Sequence, residues 1–216
     1  MLESLLYIMF SGFVIGVFIS APMGPIGMLV IQRTLNKGRL AALYTGVGAS
    51  LSDMLYCLLS GLGLSLVTDF IESNQYVLQI IGSAVLIVYG LYLFKSNPSR
   101  AITKSPEMPS NYWRDFATGF LFTFSNPLIL FFIIGLFARF NFMSPEYHYY
   151  HYILGYLSIA GGALCWWFLI TYFVNKVKGH FNVRSMWLIN RVMASLLIIM
   201  AVIGSIHAVK NILPLQ

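Results

Sequence analysis

Apolar residues along the chain fall into six runs, near residues 5–31, 40–66, 76–94, 116–138, 153–174 and 186–209, with polar residues confined to the stretches between them. A helix needs about 20 apolar residues to cross a hydrocarbon core about 30 Å thick, and every run reaches or approaches that length. The pattern predicts an all-α membrane protein with six transmembrane helices. Ahead of the first run there is only Glu3 and no basic cluster, and the run is too long for the core of a signal peptide, so it is expected to remain as a span.

Two runs are interrupted. The first contains Ser20-Ala21-Pro22-Met23-Gly24-Pro25-Ile26-Gly27. Each proline removes a backbone donor and clashes with the preceding turn, and each glycine lowers the cost of leaving helical angles. The fourth run contains Ser125-Asn126-Pro127. In hydrocarbon, the backbone groups freed by such a break find no water, so a break is tolerated only where protein buries it or a hydrated cavity receives it. Interrupted membrane helices therefore point towards a binding site.

The apolar pattern stops from 96 to 111, where Asn97, Pro98, Pro106 and Pro109 stand among Ser, Lys and Arg. That exposed linker divides the chain into a first three-helix repeat at 1–95, a loop at 96–114 and a second three-helix repeat at 115–216, within one membrane domain. Three helices per half is an odd number, so the second half starts from the opposite side and the repeats must be inverted. The halves echo each other faintly. Gly12-Phe13 before Ser20-Ala21-Pro22 resembles Gly119-Phe120 before Ser125-Asn126-Pro127, and Gly48-Ala49 has a partner in Gly162-Ala163. Both breaks thus fall in the first helix of their half, as expected of a secondary transporter.

Composition agrees with a lipid solvent: the 216 residues are 58% hydrophobic and 9% charged, and the mean hydropathy is +0.78. Soluble domains carry about 25% charged residues. The net charge of +6 is distributed unevenly. Arg33, Lys37, Arg39, Lys95, Arg100, Lys104, Arg114, Lys176, Lys178 and Arg184 fall on one side, with Arg191 just inside the sixth run. The other side has Arg139 and Lys210 beside Glu3, Asp69, Glu72 and Glu146. By the positive-inside rule the basic side is cytoplasmic and both termini are extracytoplasmic. Topology and attraction to anionic lipid account for this charge, so no nucleic-acid partner is expected. Cys57 and Cys165 lie within apolar runs, one per half, and a structural disulfide is not expected.

Each break leaves a half-helix N-terminus whose free N–H groups and positive dipole end suit a carboxylate. Gly24 and Gly27 allow a ligand close to the backbone. Asn126 offers an amide that can donate and accept, or simply satisfies a neighbouring helix beside a Pro127 kink. Gln32 and Arg33 follow the first break and read as the cytoplasmic end. Asp53 stands out as the carboxylate deep within an apolar run, with thirteen residues of that run on either side. A charge near the bilayer centre costs at least ~2.5 kcal/mol, which makes it a functional hypothesis by default. Asp53 could pair with a substrate ammonium, carry a proton during the cycle, or hold helices together through Ser50, Ser52 or Tyr56. Trp166-Trp167 reads either as an aromatic wall or as lipid-facing packing. Arg191 reads as an interfacial anchor. The cluster Tyr147-His148-Tyr149-Tyr150-His151-Tyr152 reads as an outer aromatic belt rather than a metal site.

The segment Ala21-Pro22-Met23-Gly24-Pro25-Ile26-Gly27, followed by Leu35-Asn36-Lys37-Gly38-Arg39, Gly46-Val47-Gly48-Ala49, Asp53 and Gly61-Leu62-Gly63-Leu64, resembles the first half of the LysE/RhtB amino-acid exporter family. Gly119-Phe120, Asn126-Pro127 and Phe131-Phe132 resemble its second half. The resemblance implies a multi-pass protein of the bacterial inner membrane that exports amino acids or related small metabolites, driven by the proton gradient. It also implies that Pro22, Gly24, Pro25, Gly27 and Asp53 line the substrate site, with Asn126 and Pro127 opposite. The expected partners are a small-molecule substrate, the proton and membrane lipid, and Gly-rich faces would permit a homodimer. No catalytic residue, cofactor or metal is expected. Two other readings stay open: a thiol electron carrier using one cysteine per half, although Ala21 and Asn126 stand where its cysteines should be, and a divalent-metal efflux protein, although the loop has no His or Cys. Without an ATP-binding loop in the chain, transport would be secondary or powered by a partner.

Overall fold

The computed structural model of the chain describes residues 2–21, 25–65, 75–95, 111–126, 128–144, 146–176 and 183–212. Among these the regular structure is helical: α1 (Leu2–Ser20), α2 (Pro25–Asn36), α3 (Arg39–Ser65), α4 (Gln75–Lys95), α5 (Tyr112–Phe124), α6 (Leu128–Arg139), α7 (Tyr149–Lys176) and α8 (Val183–Ile212). Among the described residues, three helices are long and apolar enough to cross a bilayer, at Glu3–Ser20, Arg39–Gly63 and Tyr149–Lys176. The pair α5 and α6, bent by 73°, makes a fourth if counted as one broken span.

Local chemistry explains the ends around the two breaks. Helix α1 closes with the Ala21 N–H donating to the Val17 carbonyl at 2.8 Å. Helix α2 opens on Pro25, the position where a missing N–H costs nothing because the first turn has no acceptor for it. It ends at Asn36, the chain turns through Gly38, whose φ of +93° is open to glycine at little cost, and α3 follows at once. In the second half, the Asn111 side chain caps α5 by accepting from the Arg114 N–H at 3.2 Å. At the far end of α5, Ser125 donates its N–H to the Leu121 carbonyl at 2.9 Å and Asn126 donates to the Thr123 carbonyl at 3.0 Å. The Asn126 carbonyl in turn accepts from the Ile129 N–H at 3.3 Å, joining the bend to α6.

Packing crosses between the halves. Helix α1 runs parallel to α7: Ser4 meets His151, Gly12 lies against Gly155, and Gly16 against Ile159 and Ala163. Helix α3 runs parallel to α5 in the same manner, with Tyr44 stacked on Tyr112, Gly48 against Phe116 and Phe120, and Tyr56 donating its hydroxyl to the Phe124 carbonyl at 2.6 Å. Along both seams the backbones touch. A Cβ on Gly16 would fall on the Ile159 carbonyl oxygen, and one on Gly162 on that of Phe13; one on Gly48 would fall on the Phe116 oxygen, and one on Gly119 on that of Thr45. Small residues at such positions let helices approach where lipid provides no hydrophobic drive to associate. Helices α3 and α7 cross antiparallel, with Gly46 under Trp167 and Gly61 under Tyr156. Helix α4 packs on α8 and α6.

The interior has two buried clusters. One draws Ile8, Ile15 and Ile19 of α1 together with Leu86, Phe132, Leu136, Ile159 and Leu197. The other gathers Val30, Ile31, Ala42, Ala49, Trp167, Ile170 and Val174, and Trp166 packs against both. The outside is apolar too: Phe10, Leu62, Val88 and Leu157 are each more than 60% exposed, as side chains that face lipid should be.

Candidate functional site

Asp53 lies midway along α3 and is only 3% exposed. One carboxylate oxygen, Oδ1, makes no hydrogen bond within the protein. The helix register fixes its height. On α5, Asp53 falls between the contact of Gly48 with Phe120 and the contact of Tyr56 with Phe124, so it is level with the last turn before the second break. On α7 it falls between the partners of Gly46 and Gly61, Trp167 and Tyr156. That is the stretch of α7 on which Gly16 rests, one turn ahead of the end of α1 at Ser20. Asp53 therefore lies between the levels of the two breaks.

Other polar atoms near these levels are buried and unpaired: the hydroxyls of Ser20, Ser50, Ser52 and Thr123, and the indole N–H groups of Trp166 and Trp167. Buried polar groups in native proteins are paired with very few exceptions, so a concentration of unpaired ones marks where a polar ligand or water belongs. Of the other expected site residues, Pro25 begins α2, Gly27 is buried in its first turn, and Asn126 is exposed at the bend between α5 and α6. Pro22, Gly24 and Pro127 lie outside the described residues. Trp167 is 1% exposed and packed on Gly46, so the lipid-facing reading of this tryptophan is wrong: the helix crossing leaves only a glycine-sized gap opposite its ring.

A second polar centre lies at the basic end of the bundle. Asp115, in the first turn of α5, is 0% exposed, and its Oδ1 is 3.3 Å from Arg33 Nε and 3.3 Å from Lys37 Nζ. Arg33 and Lys37 come from the C-terminal end of α2, so the contact joins the two sides of the 96–111 linker. Arg33 Nη1 also donates to the Asp115 carbonyl at 3.0 Å and to the Thr45 hydroxyl at 2.5 Å, and Thr45 Oγ1 donates to Ala41. The other Asp115 oxygen, Oδ2, makes no hydrogen bond. Burial pulls the Arg33 guanidinium below its usual range, the Asp115 carboxylate raises it again, and Arg114 lowers it. Each charge also matches its helix end, with cations where α2 terminates and an anion where α5 begins. In the sequence, Arg33 and Lys37 look like part of a solvated basic rim and Asp115 like an ordinary first-turn acid. The available signal was an acid standing alone between Trp113-Arg114 and the apolar run from Phe116.

The opposite end is joined by hydrogen bonds and stacked rings. The Tyr7 hydroxyl donates to the Phe140 carbonyl at 3.1 Å and the Tyr152 hydroxyl to the Ser144 carbonyl at 2.6 Å. His151 is buried between Tyr147 and Tyr150, with ring centroids at 5.1 and 4.4 Å. Its Nδ1 accepts from the His148 N–H at 3.1 Å, which leaves Nε2 to carry the proton towards Ser4 Oγ at 3.2 Å. His151 thus holds α1 to α7. Among the described residues no three His, Cys, Asp or Glu side chains form a group able to hold a metal. Arg191 is stacked 3.6 Å from the Trp187 ring and 4.6 Å from that of Phe94, which ties α8 to α4.

Broken helices around a buried carboxylate, in an apolar bundle, are the parts of a membrane carrier, and sequence comparison identifies which. The model of the LysE type translocator family matches residues 17–204, from the end of α1 into α8. The chain belongs to the LysE type translocator family. One relative of this translocator is the "Putative amino acid efflux protein YcgF" of Bacillus subtilis (strain 168), 32% identical over 162 residues that span 74% of this chain and 76% of the relative. Another is the "Uncharacterized membrane protein YahN" of Escherichia coli (strain K12), 28% identical over 112 residues that span 51% of this chain and 50% of that protein. No solved structure matches. Membership indicates a transporter rather than an enzyme. The matched region contains both Asp53 and Asp115.

Proposed function

We propose that this LysE translocator exports an amino acid, or a closely related zwitterion, across the bacterial inner membrane as a proton-coupled secondary transporter working by alternating access. The observation that carries the reading is Asp53: a buried carboxylate with an unpartnered oxygen, lying between the levels of two helix breaks. A carboxylate so placed must take a proton or a cationic partner to remain buried. Substrate ammonium and proton would therefore occupy it in turn, while the substrate carboxylate meets the N-terminal end of α2 near Gly24, Pro25 and Gly27. Pro22, Asn126 and Pro127 would shape the two breaks. The amino-acid substrate class draws support from the name of the Bacillus subtilis relative.

The same reading divides the chain into six spans as two inverted repeats. It is supported by the reciprocal packing in which the first helix of each half lies parallel to the second helix of the other. The basic end, with Arg33, Lys37 and Arg114, would be cytoplasmic and both termini extracytoplasmic. A homodimer formed through exposed helix faces is compatible with this arrangement.

The test is uptake of a panel of labelled amino acids into inverted membrane vesicles, with and without an imposed proton gradient, for the wild-type chain and Asp53→Asn. Gradient-dependent accumulation lost in Asp53→Asn is the expected result. No accumulation of any amino acid above empty vesicles would remove the amino-acid reading, and unchanged accumulation in Asp53→Asn would make that carboxylate structural.

A further inference from the structure

We propose that Arg33, Lys37 and Asp115 form a gate that closes the basic end of the translocator and must part in each transport cycle, separately from the substrate contact at Asp53. The inference rests on the alternating-access reading above, and it assigns the residues whose separation opens one side.

Position is the first argument. Asp115 belongs to the first turn of α5, after the linker, and both cations belong to the end of α2, before it. Helices α2 and α5 touch over little more than this cluster, whereas α3 and α5 meet along a continuous seam of backbone contact. The α2 to α5 contact is therefore held by charge, with little apolar surface to expose when it opens.

The chemistry of the contact is the second argument. A pure structural staple would use both carboxylate oxygens, since a buried ion pair offsets its desolvation only when the geometry is fully satisfied. Here both cations converge on Oδ1 while Oδ2 makes no hydrogen bond, and two positive charges face one negative charge. Arg33 has alternative partners on its own half: its Nη1 already reaches Thr45 of α3. Lys37 is 15% exposed at its side chain and can reach water by a short swing. When the carboxylate withdraws, neither cation is stranded in hydrocarbon. A contact whose cations keep other partners after it parts can serve as a two-state element.

Thiol accessibility tests this without reference to any substrate. A reporter cysteine, Ser20→Cys, is placed at the first break in full-length protein carrying Cys57→Ser and Cys165→Ser, and a membrane-impermeant maleimide is applied to right-side-out and to inverted vesicles. Ser105→Cys, in the segment joining α4 to α5, identifies the face on which the gate opens. Asp115→Asn is expected to speed labelling of the reporter roughly five- to tenfold from the face that labels Ser105→Cys, with labelling from the other face unchanged or slower. Lys37→Gln removes one of the two cations from a more tolerant position and is expected to act in the same direction with a smaller effect, which keeps the test decisive if Asp115→Asn does not fold. Unchanged labelling in either folded variant, or an equal rise from both faces, would overturn the gate. Since the readout is accessibility, a failed amino-acid panel would remove the substrate reading and leave this result standing.

Discussion

The two ends of the seam system are built on the same backbone plan and finished with different chemistry. Counting back four residues from Gly12 on α1 gives Ile8, and counting back four from the corresponding Gly119 on α5 gives Asp115. Both are sealed from solvent, at 1% and 0% exposure. Ile8 joins an apolar cluster with Phe142 and Ile159, while Asp115 takes Arg33 and Lys37. Around Ile8 the ends of the helices are tied by Ser4, Tyr7 and His151 through hydrogen bonds. Equal burial therefore says little about how easily a contact can be undone. Parting the Ile8 side exposes apolar surface, at about 25 cal/mol per Å² where water can reach it, whereas parting the Asp115 side exchanges one set of polar partners for another. In the alternating-access cycle proposed above, an end that releases through charge would be the one to open.

Exchanging the two chemistries should have the largest effect. Ile8→Asp buries a carboxylate with no cation and is expected to destabilise the protein by about 3–5 kcal/mol, whereas Asp115→Ile, whose two cations fall back on Thr45 and on water, should cost less, about 1.5–3 kcal/mol. Thermal unfolding in detergent, followed by loss of the monodisperse peak, measures both. If Asp115→Ile unfolds at the wild-type temperature, the ion cluster contributes nothing and the contrast between the ends is void.

Valine at Gly16 or Gly119 should come next. Each Cβ would meet a carbonyl oxygen on the facing helix, of Ile159 and of Thr45 respectively. Overpacking of this kind costs about 1–3 kcal/mol. Similar losses in the two variants would mean that the seams are equivalent and only their ends differ. A loss confined to one would show that the halves are not packed alike.

The mildest change should be Tyr7→Phe, which removes one hydrogen bond to the Phe140 carbonyl at a half-exposed position. About 0.5–1.5 kcal/mol is expected, read in the same thermal assay. A loss as large as that of Asp115→Ile would mean that the hydrogen-bonded end is held as firmly as the charged one.

Much of this organisation is legible in the chain. Proline and glycine act through local backbone geometry, so the breaks near Pro25 and Asn126 could be located from residue order alone, and the apolar runs reported membrane helices because lipid imposes a length and a composition. Asp53 was visible for the same reason: thirteen apolar-run residues on each side leave a carboxylate no route to water. Asp115 was not visible. At the edge of a run an acid can be solvated, and only the approach of α2, whose Arg33 lies 82 positions earlier, buries it. Trp167 is ambiguous in the sequence, since lipid and a neighbouring helix are equally apolar environments for an indole, and it is Gly46 opposite the ring that decides between them.

The sequence by itself determined the apolar solvent, the helical class, the two places where helices break and the burial of Asp53, because each of these depends on a side chain and its immediate neighbours. Which polar residues became partners was decided by the tertiary structure alone. Charge acts through space, and the pairing of Arg33 and Lys37 with Asp115 exists only after two helices remote in the chain have been brought end to end.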